Sequence, residues 1–102
     1  MNEIKKVKLS GGPEKTVTWI WLESGQVKVE RYDFSDAAQR LFGNNIAYTI
    51  TVKEMDKLLS TVNQSDTTII SWMEQYFKSY FGIKKWLEEN KIDFSVEREG
   101  WA

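Results

Sequence analysis

The chain has 102 residues, the size of one domain, and its apolar fraction of 41% and charged fraction of 28% are typical of a folded protein. It contains no cysteine, which excludes disulfides and thiolate chemistry, and no histidine, which excludes a Ser–His–Asp triad and histidine-containing zinc sites. The formal charge of −1 provides no overall attraction to nucleic acid or to an anionic membrane, so neither is expected as a partner.

The first third of the chain predicts three strands. Residues 4–9 alternate lysines with apolar side chains, which is typical of an edge strand. Thr16–Leu22 is rich in β-branched and aromatic residues and is apolar on both faces, which favours a central strand with helices on one side. Residues 23–26 predict a hairpin turn with Gly25 at positive φ, and Val27–Tyr32 then returns as a strand with one solvated face.

The middle of the chain predicts a helix, a strand and a second helix. Ser35 is a suitable N-cap for a helix that continues through Phe42 and ends at the polar run 43–45. Ile46–Lys53 alternates between apolar and polar residues, which predicts a half-buried strand. Met55–Val62 carries an apolar stripe at helical spacing.

The last third predicts two further helices and a final strand. An aromatic helix is expected from Ile69, with a break or bend at Gly82 and a short helix from there to Asn90. Trp72 and Phe81 lie outside the main apolar stripe of the aromatic helix, so one of them is expected to be exposed or to cover a second surface. A strand is predicted from Ile92 onward.

These elements give the order β-β-β-α-β-α-α-α-β in one domain over residues 1–102. Hairpin-joined strands followed by clustered helices indicate an α+β fold. We therefore expect an antiparallel or mixed sheet of about five strands packed against about four helices.

No catalytic, cofactor or metal site is predicted. Without histidine, catalysis would depend on carboxylate, lysine, tyrosine or serine groups. Two carboxylate pairs, Asp66 with Glu74 and Glu54 with Asp56, have no spacing that would make their oxygens converge on a cation. We expect that the protein is not an enzyme.

Five residues are predicted to contact a protein partner. Asp33 and Asp36 flank the helix start beside Tyr32, where acidic residues also serve as helix caps. Glu97, Glu99 and Trp101 bring alternating charge and a large aromatic to the last strand. An alternative for the tryptophan is that it docks onto the protein's own core.

Four segments carry a resemblance that covers about two-thirds of the chain. They are Leu41-Phe42-Gly43-Asn44, Tyr48–Val52, Asp56–Leu59 and Trp86–Phe94. This pattern resembles short bacterial proteins similar to the immunity proteins encoded beside polymorphic or contact-dependent toxins. The resemblance implies a stoichiometric protein that neutralises a toxin by occlusion. The nearly neutral charge departs from the strongly acidic immunity proteins that oppose nucleases.

The predicted function is therefore protein binding without catalysis, with a cognate toxin among the expected partners. Two alternatives stay open: a small-molecule-binding or accessory enzyme domain that uses tyrosine, lysine or carboxylate groups, and a self-assembling structural protein. The first residues lack the apolar run of a signal peptide, so we expect a cytoplasmic protein that is a monomer or a weak homodimer.

Overall fold

A computed structural model describes residues 5–9, 16–33 and 45–101 of the chain. Within these ranges it contains five strands and three helices. In chain order they are β1 (Val7–Lys8), β2 (Thr16–Glu23), β3 (Gln26–Asp33), β4 (Asn45–Val52), α1 (Met55–Val62), α2 (Ile69–Tyr76), α3 (Tyr80–Glu89) and β5 (Phe94–Trp101).

The five strands form one sheet in the order β1-β2-β3-β4-β5, and every neighbouring pair is antiparallel. The predicted α+β fold with about five strands is therefore confirmed, and the edge position predicted for the first strand is also confirmed. The described elements follow the order β-β-β-β-α-α-α-β, which does not match the predicted order with four helices. The additional helix, predicted from Ser35, falls in 34–44, outside the described residues.

A two-residue turn joins β2 to β3 and sets their register. Glu23 pairs with Gln26, and the two residues between them have positive φ values, 54° at Ser24 and 76° at Gly25. Such turns match the right-handed twist of the flanking strands. The turn places Ile20 opposite Val29, so both side chains point to the same face of the sheet.

The two faces of the sheet differ in what covers them. We call the face that carries Ile20 and Val29 the inner face, because α2 packs against β1 and β2 there, and α3 packs against β3. We call the opposite face the outer face. The core lies between the inner face and the helices, and its fully buried members include Ile20, Val29, Ile50, Leu58, Ile69, Met73, Ile83 and Leu87.

The helix layer leaves part of β5 uncovered, although Phe94 at the start of this strand packs against the core. Val96 lies in the same inner-face row as Ile50, which is fully buried. Nevertheless, 43% of Val96 is exposed. The inner face therefore has an uncovered margin along β5.

The break between α2 and α3 lies before the predicted position. α2 ends at Tyr76, and Phe77 is extended, with φ −104° and ψ 151°. Ser79 then caps α3, because its Oγ accepts a hydrogen bond from the backbone N–H of Gly82 at 3.1 Å. The prediction of a break at Gly82 was wrong, since this glycine belongs to the first turn of α3, where a serine cap defines the helix start.

Candidate functional site

The outer face carries a group of acidic side chains on its β5 side. Glu97 and Glu99 are both exposed and point to this face. Through β4, Glu97 is in register with Glu30 on β3, and Glu99 is in register with Tyr32. We call Glu30, Tyr32, Glu97 and Glu99 the acidic patch.

Tyr32 lies between the acids of this patch. Burial raises the pKa of its phenol, and the charge of Glu30, a hydrogen bond to Glu30 and the charge of Glu99 raise it further. The phenol therefore stays protonated at neutral pH and acts as a hydrogen-bond donor.

Lysine side chains occupy the β1 side of the outer face. The Nζ of Lys6 lies 4.0 Å from Oε1 of Glu30 and 4.2 Å from the ring centroid of Trp21. Farther along the sheet, Lys28 donates a hydrogen bond to Oγ1 of Thr51 at 3.1 Å. The outer face thus changes from basic at β1 to acidic at β5.

The five predicted partner-binding residues are only partly brought together. Glu97 and Glu99 share the outer face, whereas Asp33 lies on the inner face and accepts a hydrogen bond from Arg31 at 3.4 Å. The backbone of Trp101 pairs with Asn45 at the end of β5. Asp36 lies outside the described residues.

The inner face has a cleft where α3 leaves the sheet margin uncovered. The cleft has a volume of about 370 Å³. Ile46, Val96 and Phe81 supply apolar lining. The polar lining consists of Arg31, Asp33, Tyr48, Tyr80 and Lys84. We call it the β5 cleft.

Arg31 is the more buried of the two cationic side chains described in the lining of the β5 cleft, with only 11% of its side chain exposed. Its Nη1 lies 3.4 Å from Oδ2 of Asp33, and its Cζ lies 4.9 Å from the ring centroid of Phe81. A guanidinium has five N–H donors in a fixed planar array. The contact with Asp33 uses one of its nitrogens, so the group is held in place while it still presents other donors.

Tyr80 forms the floor of the cleft and is buried. Burial raises the pKa of its phenol to about 12, with a smaller contribution from Tyr48, whereas the charge of Arg31 acts in the opposite direction. The rings of Tyr48 and Tyr80 lie 6.4 Å apart. The Tyr80 hydroxyl is therefore a donor over the whole physiological pH range.

Aromatic side chains also group on the helices. Trp72 and Tyr76 stack at 4.7 Å with an interplanar angle of 12°, and Trp72 also contacts Phe77 and Trp86. Trp72 is half-buried in this stack, while Phe81 is 56% exposed, which confirms that one member of this pair is exposed. Tyr76 is 59% exposed, although it lies at helical spacing from the buried Ile69 and Met73.

Residues 5–9, 16–33 and 45–101 contain neither a metal-ligating cluster nor a helix that could span a membrane. No group of three or more acidic side chains in these ranges is arranged to hold a metal ion. None of the helices described is both long and apolar enough to cross a membrane.

Comparison with known proteins adds no relative. The chain matches no family model, and no curated protein or solved structure matches it. The acidic patch and the β5 cleft are therefore the features of this chain that bear on its function.

The sequence analysis missed the β5 cleft. One signal for it is visible in β3, where Arg31 has the same strand parity as Val27 and Val29 and so must point toward the core side. A cation at such a position requires a polar or partly open environment. The contributions of Tyr80 and Lys84 depend on where α3 starts, which the predicted break at Gly82 had displaced.

Proposed function

We propose that the protein is a non-catalytic binding protein that occludes a partner protein through the acidic patch and strand β5. The observation that carries this proposal is the position of Glu97 and Glu99. Both are exposed, point to one face, and lie on an eight-residue strand at the edge of the sheet. An edge strand presents backbone N–H and C=O groups to which a partner segment can add by β-augmentation.

The charges of the patch indicate which partner surface fits. Glu97 and Glu99 offer two exposed carboxylates, whereas the carboxylate of Glu30 is only 16% exposed, lies near Lys6 and is hydrogen-bonded to Tyr32. Opposite charges across an interface speed association and select the partner. The complementary surface is basic, with lysine or arginine side chains that reach the outer face.

The pKa shifts in the described part of the chain are consistent with binding. The two resolved shifts belong to Tyr32 and Tyr80, and both raise the pKa of a phenol. A general base or nucleophile is instead expected to have a pKa close to the working pH. The Tyr80 hydroxyl is protonated at neutral pH and can donate a hydrogen bond to a bound group, whereas the Tyr32 hydroxyl is hydrogen-bonded to Glu30.

Within this class, we propose that the protein is an immunity or inhibitor protein that neutralises a bacterial toxin by covering it. The resemblance of Tyr48–Val52 and Trp86–Phe94 to immunity proteins supports this assignment. An edge strand beside a charged patch is also suited to a one-to-one complex, in which occlusion alone is enough for inhibition.

The test compares the wild type with the double variant Glu97→Lys/Glu99→Lys as baits for proteins of the native host. The matched control is Glu74→Lys/Glu89→Lys, which makes the same charge change at two exposed positions on α2 and α3. A captured protein is identified, purified and titrated by calorimetry against all three forms. We expect one-to-one binding that the double variant weakens about tenfold or more and that the control leaves within about twofold.

Equal affinity for the double variant would refute the role of the patch, and equal loss in the control would show a general charge effect. The absence of any one-to-one partner would refute the binding function. Expression of the captured protein in a bacterial host, with and without this chain, tests the toxin assignment separately. Binding without rescue of growth would overturn the immunity assignment and leave the binding function standing.

A further inference from the structure

We propose that the β5 cleft binds a small organic carboxylate with an apolar body. This inference is independent of the proposed function, because the cleft is on the inner face and the acidic patch is on the outer face.

The size and lining of the cleft fit such a ligand. Its volume of about 370 Å³ is at the small end of the range of about 300–1,000 Å³ that is usual for ligand pockets. Ile46, Phe81 and Val96 provide apolar surface on different sides of the cleft. The two exposed members of this set, Phe81 at 56% and Val96 at 43%, would lose contact with water when a ligand is bound.

The charge of the cleft selects an anion. Arg31 and Lys84 contribute two cations, and Asp33 contributes one carboxylate. Lys84 lies at the more exposed rim, with 35% of its side chain accessible, and its ion pair with Glu88 at 3.5 Å is of the weak, solvent-exposed kind. The cleft also adjoins the first turn of α3, where the helix dipole is positive.

The donors in the cleft favour a carboxylate among anions. Arg31 is held between Asp33 and the face of Phe81, so its planar guanidinium is already ordered before a ligand arrives. Guanidinium and carboxylate groups match as bidentate partners. The Tyr80 hydroxyl, protonated at neutral pH, adds a neutral donor on the cleft floor. Among the described residues that line the cleft, Asp33 adds a negative charge beside Arg31 and Lys84, which disfavours an anion with two or three charges.

Phenylacetate is the probe for this site, since it joins one carboxylate to one aromatic ring. Phenylacetamide has the same shape without the charge, and phenethylamine reverses the charge. Each compound is titrated into the ¹⁵N-labelled full chain and followed through backbone amide shifts. We expect phenylacetate to shift the amides of Phe81, Lys84 and Val96, and the two control compounds to bind at least about tenfold more weakly.

Substitutions locate the interaction. Arg31→Gln is expected to weaken phenylacetate binding about tenfold, since it removes a hydrogen bond to a charged group. Lys84→Gln should weaken it about threefold, and Lys85→Gln, on the exposed side of the same helix, should not change it. If Arg31→Gln does not fold, two measurements still test the site. One compares phenylacetate with phenylacetamide in the wild type, and the other compares the phenylacetate affinity of Lys84→Gln with that of Lys85→Gln.

Four results would overturn the proposal. Two concern binding itself: equal affinity for phenylacetate and phenylacetamide, or no change in amide shifts at the highest soluble concentration of phenylacetate. Two concern its location: amide shift changes that cluster away from the cleft, or equal changes in phenylacetate affinity for Lys84→Gln and Lys85→Gln. The variant Glu97→Lys/Glu99→Lys should bind phenylacetate as the wild type does, which separates this site from the acidic patch.

Discussion

The serine cap of α3 offers a direct test of how the local sequence positions the cleft. In the structure, Oγ of Ser79 accepts a hydrogen bond from the N–H of Gly82 at 3.1 Å, and Ser79 itself is extended, with φ −150° and ψ 160°. Replacement by alanine keeps the backbone geometry accessible but removes this acceptor. The loss of an N-cap of this kind costs about 1 kcal/mol of unfolding free energy.

For a chain of 102 residues this corresponds to a fall in melting temperature of roughly 4–8 °C. Urea unfolding followed by tryptophan fluorescence measures the free energy, because Trp86 lies within α3 and reports on its environment. The dependence on urea should keep the wild-type slope, since the surface exposed on unfolding does not change.

Two further variants serve as controls. Ser71→Ala makes the same substitution at an exposed position inside α2, where alanine is the better helix former, so a gain of a few tenths, about 0.3 kcal/mol, is expected. Ser79→Asp keeps an acceptor at the cap and should retain most of the stability. The reasoning would be refuted if Ser79→Ala were as stable as the wild type, or if Ser71→Ala lost as much stability as Ser79→Ala.

Two other predictions concern the hairpin and the cleft. Gly25→Ala should destabilise the chain by roughly 1–2 kcal/mol, because Gly25 has φ 76° and the new Cβ would have no neighbour within 4 Å to contact. Gly25→Asn should cost less stability. Equal urea midpoints for the wild type and Gly25→Ala would contradict this prediction. The pKa of Tyr80 in the folded chain, about 12, lies above its ordinary value of 10.0, so the unfolded chain loses this proton first. The associated stability is complete below pH 10 and falls as the pH rises toward 12. Tyr80→Phe should remove the tyrosinate absorbance step near pH 12 and reduce the loss of stability between pH 10 and pH 12. An unchanged absorbance titration would disprove the assignment of this step to Tyr80.

The strands were predictable where two local signals agreed. In β2 and β3, alternation of side chains defines the strands, and Gly25 defines the turn that sets their register. Agreement between such signals is the reason that short hairpins can be read from sequence. The predicted α2–α3 break was misplaced because glycine is a local signal for a helix break, whereas the capping role of Ser79 depends on the extended backbone at that residue.

The candidate sites were less predictable because they depend on which strands become neighbours. Glu97 and Glu99 share a face by strand parity alone, but their proximity to Glu30 and Tyr32 follows from the β3–β4–β5 register. Parity also separates Asp33 from these acids, a consequence that grouping by charge overlooked. The β5 cleft depends on how far α3 extends across the sheet, and no local pattern around Val96 reports that distance.

The two edges of the sheet differ in how they can pair with a further strand. In the part of the chain that the structure describes, the β1 edge is short: Val7 and Lys8 pair with β2, and the N–H of Leu9 donates one more hydrogen bond to the carbonyl of Thr18. At the other edge, charge disfavours one way in which a second copy of β5 could pair with the first. An antiparallel pair centred on Arg98 would place this arginine against its counterpart and Glu97 against the other copy's Glu99, and like charges directly opposite are destabilising. In that register like charges oppose pairing of β5 with a second copy, so the sequence Glu97-Arg98-Glu99 disfavours one route by which this edge could form fibres.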